Sequence, residues 1–288
     1  MRGHGLIKLF IVGNGFDIAH QVKSKYKYFR KYLLDKLCIL CDNADYQTYN
    51  FTGDDVLSDA NSLLSEAYDI FIIIHFLSCA ELELKDDKST FEWNNIESSV
   101  GILDYSTIYN LCPTPDEEDY EHYTRTQFMY ADIFNQYKDS LEKIPHYFSE
   151  WIRQIDISTV SKISDLDSLF DNKTLFINFN YTNILEEVYG IPSKNILYIH
   201  GKAIDDQSRI YFGHGNEHSD TINRIDAPLY ITLYTEEDIL HKQLRKPVEK
   251  ILDDSREFFK SLNSIEKVYS YGFSYSKVDM IYMKEINK

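Results

Sequence analysis

Five polar residues stand where apolar runs stop: Asp17, Asn180, His200, His214 and Ser274. The runs are LIKLFIV at 6–12, TLFINF at 174–179, NILYIH at 195–200, RIYF at 209–212 and KVYSY at 267–271. Each reads as a short strand ending at a polar residue or glycine, the first of them buried. In open α/β sheets, ligands bind past the carboxyl ends of the strands, so five such ends could gather around one crevice. The first end is Gly13-Asn14-Gly15, with Phe16 and Asp17 behind it. Glycines at such a turn allow the backbone to approach a phosphate closely, and the following helix N-terminus supplies N–H groups and partial positive charge. The third glycine of the dinucleotide fingerprint is missing, so a structural βα turn fits as well as a phosphate cradle. Asp17 would repel a phosphate; a ribose hydroxyl or a helix cap suits it better.

The other ends carry different chemistry. Asn178-Phe179-Asn180-Tyr181-Thr182 offers amides and a hydroxyl just past a strand, with Thr182 placed to open a helix. Capping alone would account for these residues. His200 is followed by Gly201, and His214 lies between Gly213 and Gly215. A histidine is the usual candidate for a base at neutral pH, and a neighbouring glycine lets a substrate approach. The bland alternative is a satisfied core histidine and a turn. Gly272-Phe273-Ser274-Tyr275-Ser276 resembles the elbow of a serine hydrolase, but Ser276 replaces the closing glycine and no histidine follows Ser274. Ser276 to Asp279 reads instead as the start of a helix, with Asp279 at a capping position.

These ends need a frame. The first strand, its glycine turn and a helical stretch to about Leu40 open a doubly wound fold. From Asp54 to Ile155 the apolar spacing is helical, over 54–84, 91–103 and 120–155, with punctuation at 50–55 and 111–119. Strands return after Asp171. A helix expected over 236–262 should break near Lys246, before Pro247. The expected fold is α/β, with a Rossmann-like, mostly parallel sheet formed by residues 1–50 and 165–288, and a large helical insertion over 51–164.

Charge and composition narrow the function. Lys and Arg number 30 against 46 Asp and Glu, a formal charge of −16 that disfavours nucleic acid and anionic membrane. The acidic run Asp116-Glu117-Glu118-Asp119 reads as a solvated loop. Cys38 and Cys41 have CxxC spacing, but with only Cys79 and Cys112 elsewhere no second pair completes a zinc site. No metal is expected. The apolar run Ile70–Leu77 is too short to span a bilayer, and the opening residues do not resemble a signal peptide. A cytoplasmic protein with reduced thiols is expected.

In series these segments resemble the AbiH family of bacterial abortive-infection proteins. The most specific is Ile11 to His20 (IVGNGFDIAH), followed by Tyr26 and Phe29. Trp93-Asn94-Asn95-Ile96-Glu97 is similar to the family's Trp-x-x-apolar-Glu element, and Asn178 to Thr182 with Leu185-Glu186, Ile199-His200-Gly201, Phe212 to Gly215, and Tyr271 to Ser274 with Asp279 and Tyr282 continue the resemblance. The order also resembles a remote version of the sirtuin pattern. Gly13-Asn14-Gly15 falls on its Gly-Ala-Gly turn, Asn180 on the Asn of its Thr-x-Asn-x-Asp stretch, His200-Gly201 on its His-Gly, and Gly272-Phe273-Ser274 on its Gly-x-Ser loop. Three departures stand out. Thr182 replaces the sirtuin Asp, no cysteine lies between His200 and Gly213, and Gln21-Val22-Lys23-Ser24 replaces the relatives' Gly-Leu-Pro-Thr type of stretch.

The resemblance implies a sirtuin-like sheet, a pocket for NAD and a role in phage defence. On that reading Gly13, Asn14, Gly15, Phe16, Asp17, Thr182, Gly201, Gly213, His214, Gly272 and Ser274 contact the nucleotide. His200 and Asn180 carry the chemistry, and Trp93 and Glu97 are lid candidates. Cleavage of the nicotinamide–ribose bond would make the protein an NAD glycohydrolase; the alternative is a nucleotide-binding sensor or scaffold without turnover. Homo-oligomerisation and a phage trigger stay open.

Overall fold

The computed structural model describes residues 7–53, 55–84, 93, 95–105, 108, 120–204, 209–215, 231–276 and 278–286. The chain forms two compact units. One comprises Met1–Tyr28, Phe148–Phe212 and Lys246–Lys288; the other comprises Phe29–Tyr147 and Gly213–Arg245.

The first unit is built on four parallel strands, β1 (Lys8–Val12), β2 (Leu175–Asn178), β3 (Ile196–Tyr198) and β4 (Lys267–Tyr271), in the order β3-β2-β1-β4. This is an α/β, Rossmann-like arrangement. The strand order reverses at β1: β2 and β3 extend the sheet on one side, and β4 returns to the other. In register, Leu9 lies between Leu175 and Val268, and Val12 between Asn178 and Tyr271.

Alternation along β1 decides the packing, because successive side chains face opposite sides of a sheet. Phe10 and Val12 join Phe16, Phe176, Leu185 and Tyr189 in one core. Leu9 and Ile11 join Ile177, Phe179, Val248 and Tyr282 in the other. Both faces of the central strands are therefore covered, as a parallel sheet requires, and each buried aliphatic or aromatic side chain contributes roughly 1.5–3 kcal/mol.

The expected helix after β1 is two helices, α1 (Asn14–Ala19) and α2 (Tyr26–Cys41), separated at His20–Lys25. Gln21 adopts a left-handed conformation (φ 61°) in that break. RIYF at 209–212 is not a strand; it makes one antiparallel bridge, Ile210 to Gly201. Joining the sheet in parallel needs a crossover of a dozen or more residues, and residues 201–209 are too few.

In the helical unit, α3 (Val56–Ala60), α4 (Ser65–Glu83) and the short α5 (Ile96–Ser99) precede α6 (Tyr120–Leu141), which packs on α4. The 91–103 pattern yields only α5 and a 3₁₀ turn at Val100–Ile102 among the described residues. Residues 144–153 form α7, after which the first unit contributes α8 (Ser164–Asp167) and α9 (Ile184–Glu187). The helix α10 (Ile231–Gln243) packs on α6, so Gly213–Arg245 groups with the helical unit and not with the rest of the 165–288 segment expected in the core. The break before Pro247 is present: α10 ends at Gln243, and α11 (Val248–Asp254) begins after Pro247. The first unit closes with α12 (Arg256–Ser261) and α13 (Met280–Ile286). No helix among the described residues is long and apolar enough to cross a membrane. Cys112 and the acidic run at 116–119 lie outside the described residues.

Candidate functional site

The strand order reverses between β1 and β4, and the glycine turn lies there. A Cβ on Gly15 would stand 2.5 Å from the Gly272 Cα, and one on Gly13 would stand 2.7 Å from the Phe273 Cα. Gly272 itself is left-handed (φ 65°). The Gly13 amide donates to the Tyr271 carbonyl at 3.1 Å and the Gly15 amide to the Gly272 carbonyl at 2.9 Å. Only residues without side chains allow this backbone contact, and both amides are engaged within the protein. Asn14 pins the loop after α1: the Ser24 hydroxyl donates to its Oδ1 at 2.6 Å. Phe16 points into the core. His20 is a structural clip, its Nδ1 2.7 Å from the Phe16 carbonyl and its Nε2 2.7 Å from the Tyr189 hydroxyl.

Asp17 is not a helix cap, since no side-chain cap bond closes α1. Its carboxyl is buried and accepts from the Asn180 amide at 2.8 Å and the Thr182 hydroxyl at 2.7 Å. Asn180 also donates to the Gly13 carbonyl at 3.0 Å, and its own backbone N–H is held by the Asn178 side chain at 2.9 Å. Thus the segment past β2 folds back onto the turn past β1. Thr182 serves Asp17 and does not cap α9, whose N-terminal Asn183 makes no side-chain cap bond either. Burial pushes the Asp17 carboxyl up to about 7, against the lowering effect of the Thr182 and Asn180 bonds. Beside it lies a cavity of about 30 Å³, lined by Asn14, Asp17, Tyr26, Phe148, Asn180 and Thr182 among others. That volume suits a water molecule, not a dinucleotide.

His200 belongs to a second cluster. Its Nε2 is 3.1 Å from Asp279 Oδ1 and 3.2 Å from the Lys246 ammonium nitrogen. The Ser276 hydroxyl donates to Asp279 Oδ2 at 2.8 Å. Burial alone would raise Asp279, but the His200 hydrogen bond and electrostatic interaction, the Lys246 ammonium and the Ser276 bond outweigh it and hold the carboxyl down to about 2. His200 Nδ1 is buried and has no hydrogen-bond partner among the described residues. No hydrogen bond joins His200 to Asn180. The rings of Phe179 and Tyr181 lie 5.6 and 5.7 Å from the His200 ring, and both residues also line the Asp17 cavity.

Two members of this cluster had little sequence signal. Asp279 reads as a helix-capping residue and does sit just before α13, but its carboxylate meets His200. Lys246 marks only the end of a helix before Pro247, yet its side chain is wholly buried. A lysine at a helix break carries no mark of burial; only the fold supplies it.

The remaining candidates separate. Gly201 is left-handed (φ 73°), and a Cβ there would stand 2.0 Å from the Arg209 carbonyl oxygen, so it permits the chain to turn back after His200. Gly213 and His214 belong to the helical unit, where His214 is buried with Nε2 2.9 Å from the His241 carbonyl. Ser274 is exposed, and the serine of its loop that bonds a carboxylate is Ser276. Trp93 is buried in the helical unit against Phe29, with ring centroids 5.9 Å apart, and Glu97 is half-buried in the first turn of α5.

Compared with known proteins, residues 9–288 match the family described as "Bacteriophage abortive infection AbiH". No curated protein and no solved structure matches the chain. The match covers nearly the whole sequence, including the glycine turn, the Asp17 cluster and the His200 cluster, and the chain therefore belongs to the AbiH family of bacteriophage abortive-infection proteins.

Proposed function

We propose that this abortive-infection protein acts by hydrolysing NAD at the nicotinamide–ribose bond. The observation that carries the reading is His200: its Nε2 is held at Asp279 while its buried Nδ1 has no partner among the described residues. A histidine oriented through one nitrogen by a carboxylate, with the other nitrogen available, is equipped to take a proton. The leaving nicotinamide is cationic and needs little acid help. What accelerates its departure is a base for water or a ribose hydroxyl and a group that orients them. Asn180 has spent its amide hydrogens on Asp17 and the Gly13 carbonyl, so its Oδ1 is the atom left to orient a hydroxyl. The dinucleotide would lie along the carboxyl ends of β1, β2 and β3, near Asn14, Thr182, Gly201 and Gly272. The water-sized cavity requires its walls to part before a nucleotide can enter.

Purified protein incubated with NAD should release nicotinamide and ADP-ribose, read by chromatography. His200→Ala should lose roughly 10²–10⁴-fold in turnover. Unchanged turnover in that variant removes His200 from the chemistry; a folded wild type with no release removes the hydrolase. The second reading, a nucleotide sensor without turnover, is favoured by Thr182, which stands where the sirtuin pattern has Asp and spends its hydroxyl on Asp17. Intact nucleotide recovered with the protein after long incubation would support it.

A further inference from the structure

We propose that Asp17 is a further catalytic residue of this site, the group that takes the proton from the attacking water, and that the cavity beside it holds that water. The inference rests on the hydrolase reading above.

Three features of the Asp17 surroundings support it. First, both carboxyl oxygens are positioned by neutral donors, Asn180 on Oδ1 and Thr182 on Oδ2, and each oxygen keeps a lone pair for a further proton. No lysine, arginine or histidine pairs with it among the described residues. Secondly, the cavity has room for one water, and such a water needs two to four polar partners. Asp17, Asn180 and Thr182 all line it, and Asn14 and Ser24 add further polar groups. Thirdly, burial raises the proton affinity of this carboxyl to about 7, where a group can both accept and release a proton. The titratable groups around it are Tyr26 and Tyr181, which line the cavity, and Tyr198 of β3. Tyr198 is pushed up by burial, then by Glu186, and in smaller part by Asp17. None of these tyrosines supplies a compensating positive charge.

The step balances. A water O–H bond breaks and its proton goes to an Asp17 oxygen. The water oxygen forms a bond to the ribose C1′. The C1′–N bond breaks, and its electron pair goes to the pyridinium nitrogen, giving neutral nicotinamide. Asp17 then returns the proton to solvent. His200 is left to serve a ribose hydroxyl.

The test is the pH profile of NAD turnover for wild type, Asp17→Asn and Asp17→Glu, beside a carboxyl carbon NMR titration of the wild type in which the Asp17 signal is assigned by its absence in Asp17→Asn. Asp17→Asn should lower kcat about 100-fold or more with KM nearly unchanged, and should lose the rise in kcat centred near pH 7. Asp17→Glu should recover part of the rate with a displaced profile. The wild-type Asp17 signal should titrate near 7. Turnover by folded Asp17→Asn within about threefold of wild type, or titration of Asp17 in the ordinary carboxylate range, overturns the assignment while leaving the hydrolase reading intact. A wild type that releases no nicotinamide overturns both. If Asp17→Asn does not fold, the Asp17→Glu profile decides: one that coincides with wild type removes Asp17 from the step.

Discussion

Asp17 and Asp279 belong to the same α/β unit, and each is less than a tenth exposed. Burial pushes both carboxyls up, yet one ends at about 7 and the other at about 2. The difference is in the neighbours. Asp279 has His200 and the buried Lys246 ammonium beside it, as well as the Ser276 hydroxyl. Asp17 has an amide and a hydroxyl, which carry no charge. Neutral donors satisfy the lone pairs of a buried carboxylate without repaying the loss of water around its charge. The balanced cluster holds an anion firmly and orients His200. The unbalanced one keeps a carboxyl whose proton is exchangeable near neutral pH, beside room for a water.

The largest effect should come from removing the balance. Lys246→Met leaves Asp279 buried without its ammonium neighbour and should cost about 3–5 kcal/mol in denaturant unfolding. A loss under about 1 kcal/mol would mean that Lys246 does not stabilise Asp279, and the contrast would collapse.

The second effect is one of sign. Asp17 has a folded value of about 7, above its ordinary 3.8. The native state therefore binds this proton more tightly than the unfolded chain, and stability falls as pH rises from about 4 to about 7, then levels off, by roughly 4 kcal/mol in all. Asp279 behaves oppositely: its contribution is complete above about 4 and is lost as pH falls through about 2. Stability measured against pH for wild type minus Asp17→Asn should show the Asp17 slope alone. A flat difference between pH 4 and 7 would place Asp17 among ordinary carboxylates.

Gly15→Ala tests the turn that carries Asp17. Its methyl would meet the Gly272 backbone, which has no flexible side chain to yield, so a cost of about 1–3 kcal/mol is expected in thermal or denaturant unfolding. Retained stability would mean that β1 and β4 can separate at the reversal of strand order. The smallest effect is a gain. Gln21 holds a left-handed backbone that glycine adopts without strain, and Gln21→Gly should add about 1 kcal/mol. No gain would show that the Gln21 side chain offsets its backbone strain.

Much of this site could be read from the residues. LIKLFIV, TLFINF, NILYIH and KVYSY read as strands because β-branched and aromatic runs ending at glycine or Asn fit few other structures, although β4, unlike β1, is largely exposed. Asp17, Asn180, Thr182 and His200 stood out as polar residues directly past those runs. RIYF has the same composition and is not a strand, since strand membership depends on a partner edge within reach. His20 lies in the most specific motif yet holds a loop, because its role is set by Tyr189, far along the chain.

The sequence alone determined that a parallel α/β sheet would form and that its polar groups would lie at the carboxyl ends of its strands, because alternation and turn chemistry are local properties. The tertiary structure decided which of those groups meet. Asp17 joined Asn180 and Thr182 across more than 160 positions, His200 joined Asp279 and Lys246, and His214 went to the other unit. It also decided that the Gly13 and Gly15 amides would bond the end of β4 and the turn past it. The physical reason is that the proton affinity of a buried group depends on the charges brought within a few ångströms of it, and folding, not spacing along the chain, sets that distance.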